Sequence, residues 1–476
     1  MINKFLSFKL KPTYILPLLI ITIVKLLLLC FLIHEHQELN LNSFSGITFI
    51  SNDYNYFFKP VDNFFKYGFM SYDEISNYAG RVPGYWFLYF LLRLFFLKKE
   101  AISYVVLIQF LMSVIANFCF SKLIFKITKN KSAFWISLIV YSFNLFILPF
   151  EFRTMAESLS ISSGIIGGYY FYCYLESNKN LLLSGLFLGW MVFLRPFLFP
   201  FFMVPIFYII TKNLSISIKL KTILIFSISI LVMETTWVCR NYFTMNEIIL
   251  LETPPHVSYG KIYSKSWIEI RKIIHVWGGD AAYFEPNSMS QWFRREWDNR
   301  SIESVIDKSV FRKISYNEND ILKLRNRYFS FINNVDLNAG GVVDCKLAND
   351  AQKIRIEFIS NNFCQSHFNR WINLKRMILK SGTSYLTIDK NKKIFKPLKT
   401  FGFLYYYFFL LVGIFILLKY VIKRHKLAII YSISFFLYIL IFVYYTPILE
   451  ARYFLFPHII FIFISFIMFF KPKFYI

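Results

Sequence analysis

Apolar blocks separated by short basic loops set the pattern of this chain. They run Tyr14–Ile33, Ala101–Phe120, Ala133–Phe150, Glu157–Leu175, Leu181–Leu194, Pro196–Ile210, Thr222–Trp237, Phe401–Leu418, Leu427–Tyr445 and Tyr453–Phe470. Most approach the ~20 residues that an α-helix needs to cross a hydrocarbon core about 30 Å thick. Backbone polar groups in lipid must be satisfied within their own segment, which leaves helices as the fitting element. The pattern therefore predicts an all-α polytopic membrane protein of about ten transmembrane helices. Between Asn241 and Thr400 the apolar runs give way to mixed polar, charged and aromatic residues. Stretches such as Ile321–Tyr328 and Ile372–Leu379 carry amphipathic helical periodicity there. Three regions follow: an N-terminal membrane domain (1–240), a mostly helical extracytoplasmic insert (241–400) and C-terminal transmembrane helices (401–476).

Lysines and arginines orient these blocks, because basic residues collect in cytoplasmic loops. Lys4, Lys9 and Lys11 precede the first block, which sets the N-terminus inside and residues 34–84 outside as a first outer loop. That block is too long, and lacks the small-residue cleavage site, for a removable signal peptide. The short stretch Tyr85–Leu97 carries Arg93 and reads as an interfacial helix, so that Lys122, Lys126, Lys129 and Lys131 fall inside. Leu181–Leu194 and Pro196–Ile210 read as a tight pair turning at Arg195-Pro196. Both termini come out cytoplasmic, with the protein in the cell membrane and its site extracytoplasmic.

Composition adds little to this. The chain is 476 residues long, 56% hydrophobic and carries a formal net charge of +25, but its basic residues sit largely at helix ends. The charge balance thus implies membrane lipids as neighbours and no nucleic acid. Four of six cysteines fall in or beside apolar blocks, and Cys345 and Cys364 fall in the insert, either paired or as free thiols. No zincin helix, phosphate-binding glycine loop or dinucleotide fingerprint occurs, and His34-Glu35-His36 reads as a solvated helix end.

Ionisable residues in apolar surroundings are costly and usually have a partner or a task. In the layout above Asp53, Arg81, Glu157, Arg195, Arg240, Glu450 and Arg452 all reach the outer face. A carboxylate there suits a general base or a divalent cation, and an arginine fork suits phosphate oxygens. Asp62, Asp73 and Glu74 compete with Asp53, and an arginine before proline, such as Arg195, also suits a helix cap.

Five segments in order carry a family resemblance. Asn52-Asp53, Tyr67-Gly68 and Arg81-Val82-Pro83-Gly84-Tyr85 resemble the first outer loop of GT-C glycosyltransferases. The bacterial relatives of protein O-mannosyltransferases and aminoarabinose transferases are the nearest likeness. Here Val82 and Trp86 stand where that turn has prolines. Met155-Ala156-Glu157, Gly185–Gly189 with Arg195-Pro196, Trp237–Tyr242 containing Arg240-Asn241, and Glu450-Ala451-Arg452-Tyr453 resemble later motifs. The resemblance implies transfer of a sugar from a polyprenyl-phosphate donor to a hydroxyl of a glycan, lipid or protein acceptor, with inversion. It implies Asp53 as base, Glu157 as a second carboxylate that orients the acceptor or shares a cation, and Arg81, Arg240 and Arg452 on the donor phosphate. Leaving phosphate needs positive charge rather than an acid.

Two other classes compete. A transporter or flippase of lipid-linked sugars would place polar residues deep in several helices. A membrane glycan polymerase would also carry a large outer loop. In the insert, Trp292–Trp297 and Phe368–Trp371 read as membrane-adjacent packing rather than a sugar surface.

Overall fold

The structure is a computed structural model that describes residues 12–35, 54–72, 77, 81–246, 248–251, 264–277, 314–334, 336–337, 340–379, 395–446 and 450–470. Regular structure among these residues is helical, apart from one isolated bridge between Ser71 and Asn77. Among the described residues six helical segments are long and apolar enough to cross a membrane: α1 (Pro12–Glu35), α4 (Lys98–Thr128), α10 (Ile216–Met245), α16 (Phe395–Ile422), α17 (Lys426–Leu440, continued as a π-turn to Tyr445) and α18 (Leu455–Phe470, after the 3-10 turn Ala451–Phe454). The protein is thus a helical membrane protein.

Between these run α2 (Tyr54–Tyr67), α3 (Trp86–Arg93), α5 (Lys131–Ser142), α6 (Leu148–Glu151), α7 (Glu157–Ser177), α8 (Leu181–Leu194) and α9 (Phe199–Thr211). At 8 residues, α3 spans about 12 Å and is too short to cross. Helix α7 lies at the centre, with every residue from Glu157 to Gly167 buried. It packs on α4 and α8, and α8 in turn packs on α10. The α8–α10 approach is so close that a Cβ on Gly185 would lie 1.8 Å from the Phe226 carbonyl oxygen. Only glycine fits such a backbone contact.

Two expectations change. The block Ala133–Phe150 is not one helix, because α5 ends at Ser142 and a second short helix, α6, begins at Leu148. The Asn144 carboxamide oxygen accepts the Phe146 N–H at 3.0 Å, a local bond that competes with the helix ladder. Pro149 then opens α6, where its missing N–H costs nothing. The turn at Arg195-Pro196 is present as the 3-10 segment Pro196–Leu198. Yet α8 packs on α7 and α10 while α9 packs mainly on α17, so the two are consecutive rather than a tight pair.

The insert has a core of its own. Helices α11 (Lys265–Trp277), α12 (Glu318–Asn333) and α13 (Val342–Asn361) enclose Trp267, Ile270, Ile274, Tyr328, Leu347 and Phe358. Trp267 stacks on Tyr328 with ring centroids 5.6 Å apart. Buried Asp344 accepts the backbone N–H groups of Lys265 at 3.0 Å, Ser266 at 2.9 Å and Gly340 at 2.8 Å, satisfying the start of α11. Helices α14 (Phe363–Asn373) and α15 (Lys375–Ile378) continue from α13 and divide the predicted stretch Ile372–Leu379 between them. Cys345 and Cys364 are both free thiols, the first in the opening turn of α13 and the second in the opening turn of α14.

Candidate functional site

Glu157 is the first residue of α7, where a carboxylate complements the positive end of the helix. It is buried, with its side chain 4% exposed, and Arg195 Nη2 donates to its Oε1. Arg452 Nη1 lies 3.5 Å from the same oxygen, and Arg452 also pairs with Glu450, its Nη2 3.1 Å from Oε1. Four charges from three distant parts of the chain, Glu157, Arg195 and the neighbours Glu450 and Arg452, therefore meet at one end of the bundle. Arg195 reaches the cluster because Pro196 breaks the helix and leaves Arg195 extended (φ −148°, ψ 93°). The 3-10 turn Ala451–Phe454 brings Arg452 and Tyr453 to the same place, and Tyr453 lies within electrostatic range of Arg81, Arg195, Arg452 and Glu450.

The turn before α3 approaches the same cluster. Arg81 lies over the Phe57 ring, 4.9 Å from its centroid, and its carbonyl accepts the Trp86 indole N–H at 2.9 Å. Tyr85 packs against Phe57 and Phe58 and lies within electrostatic range of Glu157 and Arg195. Gly84 is needed for this approach: a Cβ there would lie 2.4 Å from the Phe193 carbonyl oxygen, and the Trp190 indole N–H donates to the Gly84 carbonyl.

Glu157, Arg81 and Arg452 are thereby brought to one region, joined by Arg195. Asp53, Asp73 and Glu74 lie outside the described residues, as does Trp292–Trp297. Asp62 is held elsewhere, accepting the Tyr89 hydroxyl at 2.7 Å and pairing with Lys98 at 2.7 Å and Arg93 at 3.5 Å. Arg240 sits over the Trp237 ring at 5.4 Å and donates to the Asn241 carboxamide. Trp237 packs on Trp86, so Arg240 flanks the Arg81 turn rather than the Glu157 carboxylate.

A second buried charge pair escaped the sequence reading. Lys25, midway along α1, donates to Glu151 of α6 and to Ser113 Oγ at 2.8 Å, and Ser113 Oγ donates to Glu151 at 2.5 Å. One helical turn along α4, the Gln109 carboxamide donates to the Phe150 carbonyl and, at 2.9 Å, to that of Arg153. It accepts the Tyr85 hydroxyl at 3.3 Å. The segment leading into Glu157 is thus pinned from two helices. Two signals were available: a lysine within an apolar span, and Gln109, Ser113, Asn117 and Ser121 at four-residue spacing, all fully buried on one face of α4.

Below the charged cluster an apolar cavity of about 330 Å³ lies among α4, α7, α8, α9, α16, α17 and α18, lined by residues such as Phe120, Gly164, Phe201, Tyr431 and Phe456. Gly164 is about 10 Å down α7 from Glu157, and the lining continues to Leu175, about 16 Å further. Among the described residues no three His, Cys, Asp or Glu side chains gather as a metal site. Comparison of the chain with protein-family models, curated proteins and solved structures finds no match.

Proposed function

We propose that this protein is a membrane glycosyltransferase that moves a sugar from a polyprenyl-phosphate donor to a hydroxyl acceptor at the outer face. The observation that carries the reading is the buried meeting of Arg195 and Arg452 on Glu157, with Arg81 nearby, above an apolar cavity. A lipid phosphate offers a charged head and a hydrocarbon tail, and this arrangement offers partners for both. The arginines neutralise the phosphate as it departs, in surroundings where charge interactions are strong. Glu157 keeps the guanidiniums aimed and takes part in orienting the acceptor. Asp53, immediately before α2 in the sequence, serves as the base that draws the proton from the attacking hydroxyl, and displacement inverts the anomeric carbon. Arg240 extends the cationic surface along the Trp237–Trp86 wall. Asp53 and Glu157 are the carboxylates that would hold a divalent cation, which would supply further positive charge. About ten crossings, with cytoplasmic termini, put this chemistry outside the cell membrane.

A flippase of lipid-linked sugars is the second reading, and one observation favours it: Lys25, Gln109, Ser113, Asn117 and Glu151 form a polar seam deep in the bundle. Sugar transfer separates the two. Purified protein in nanodiscs is supplied with radiolabelled polyprenyl-phosphate sugars and a membrane acceptor fraction, with and without EDTA. Transfer by the wild type should fall ~100- to 10,000-fold in Asp53→Asn, the range for a general base. Arg452→Met should weaken donor binding. Full transfer by both variants would remove the assigned roles. Absence of transfer, together with donor translocation in proteoliposomes, would replace the enzyme by the flippase.

A further inference from the structure

Helix α14 is amphipathic in the inverted sense. Its inward face is polar: Ser366 and Asn373 are buried, and Asn369 and Asn373 donate to the last carbonyls of α11, those of His275, Val276 and Trp277, at 2.8–3.1 Å. Its outward face is apolar, with Phe368 64% exposed and Trp371 and Ile372 each 38% exposed. These positions, at i, i+3 and i+4, form one helical stripe. A soluble surface helix has the opposite arrangement.

What covers this stripe follows from its neighbours. Trp371 stacks on Phe436, with ring centroids 6.4 Å apart, and Phe436 is an exposed residue of the spanning helix α17. Further along, Arg370 lies over the Tyr444 ring at 5.5 Å, and His367 Nδ1 is 3.3 Å from the Tyr444 hydroxyl. The exposed stripe of α14 is therefore continuous with a face of α17 that in a membrane meets lipid. Arg370 and Lys375 stand at its rim, the position cations take beside headgroups.

We infer that α14 is an interfacial helix that seats the insert in the bilayer, with Phe368, Trp371 and Ile372 in the acyl boundary of the leaflet next to the Glu157 cluster. The proposal is independent of the transfer reaction. It moors the insert to lipid at a point outside the spanning helices, so the insert core is referenced to the membrane surface as well as to α17.

The test is nitroxide accessibility in phosphatidylcholine–phosphatidylglycerol nanodiscs. Phe368→Cys and Ile372→Cys are labelled in a chain whose native cysteines are replaced by alanine or serine. Lys323→Cys, on the exposed face of α12, is the reference for water, its side chain 76% exposed. The ratio of oxygen to nickel-chelate accessibility should be several times higher at 368 and 372 than at 323. A ratio equal to that at 323 would overturn the inference, because the stripe would then face water. Low accessibility to both reagents would overturn it too, because protein would then cover the stripe. Native cysteines are kept in a second measurement, quenching by bromine-labelled acyl chains in the same nanodiscs. Wild type should be quenched more than Trp371→Phe, and equal quenching would refute the placement of Trp371.

Discussion

The Lys25–Glu151 pair makes a sharp quantitative prediction, because both side chains are 1% exposed and each is the other's counter-charge. Removing one partner leaves the other charge buried in an apolar bundle. Breaking a buried pair in this way costs about 3–5 kcal/mol. Insertion scales put a lone charge at the centre of a spanning helix at a similar ~2.5–3.5 kcal/mol. Lys25→Met and Glu151→Gln, made singly, should each destabilise the protein by about 3 kcal/mol or more. The double variant should recover most of that, ending within about 1 kcal/mol of wild type, since a neutral pair has no desolvation penalty. The carboxamide of Glu151→Gln would still accept from Ser113, which holds its 2.5 Å bond to the carboxylate in the native chain. The three variants and wild type form a double-mutant cycle read by reversible unfolding in mixed micelles, with an expected coupling of about 5 kcal/mol. Additive losses in the double variant, or single losses below about 1 kcal/mol, would refute the claim that the pair is an isolated buried ion pair.

Burial holds the His275 ring down at about 4, while its Nε2–H donates to the Val443 carbonyl at 3.2 Å and joins the insert to α17. The folded pKa lies below the unfolded value of about 6.5, so this junction is at full strength above pH 6.5 and weakens as pH falls toward 4. Linkage sets the loss at about 2 kcal/mol by pH 5, and thermal unfolding of wild type against His275→Gln should show the difference vanish in the variant. Asp344→Ala strips the acceptor from three backbone N–H groups and should cost about 3 kcal/mol or more, read as faster amide exchange in α11. Gly185→Ala must push α8 off α10 and should cost about 3 kcal/mol, whereas Gly168→Ala, with open space at its Cβ, should be nearly neutral by the same unfolding assay.

Much of the helical architecture was legible from apolar block length alone. Lipid leaves the backbone no external partner, so a run such as Leu427–Tyr445 has to be a helix wherever it packs. The break at Asn144 was less legible, since Asn144 and Pro149 interrupt a block whose side chains are otherwise apolar. Which helices touch was illegible: Leu181–Leu194 and Phe199–Thr211 look like partners along the chain, yet small residues such as Gly185 send the first against α10.

The sequence by itself determined that Glu157, Arg195 and Arg452 stand at the ends of apolar runs, because it records where those runs stop. That Glu157 receives both arginines, while Asp62 is taken by Lys98 and Arg93, was decided only in the folded bundle. Block ends fix a residue's depth along the membrane normal, but say nothing of its rotation about the helix axis or of which neighbour it faces. Those two coordinates come from side-chain packing between helices, and it is they that pair Lys25 with Glu151 across 126 residues of chain.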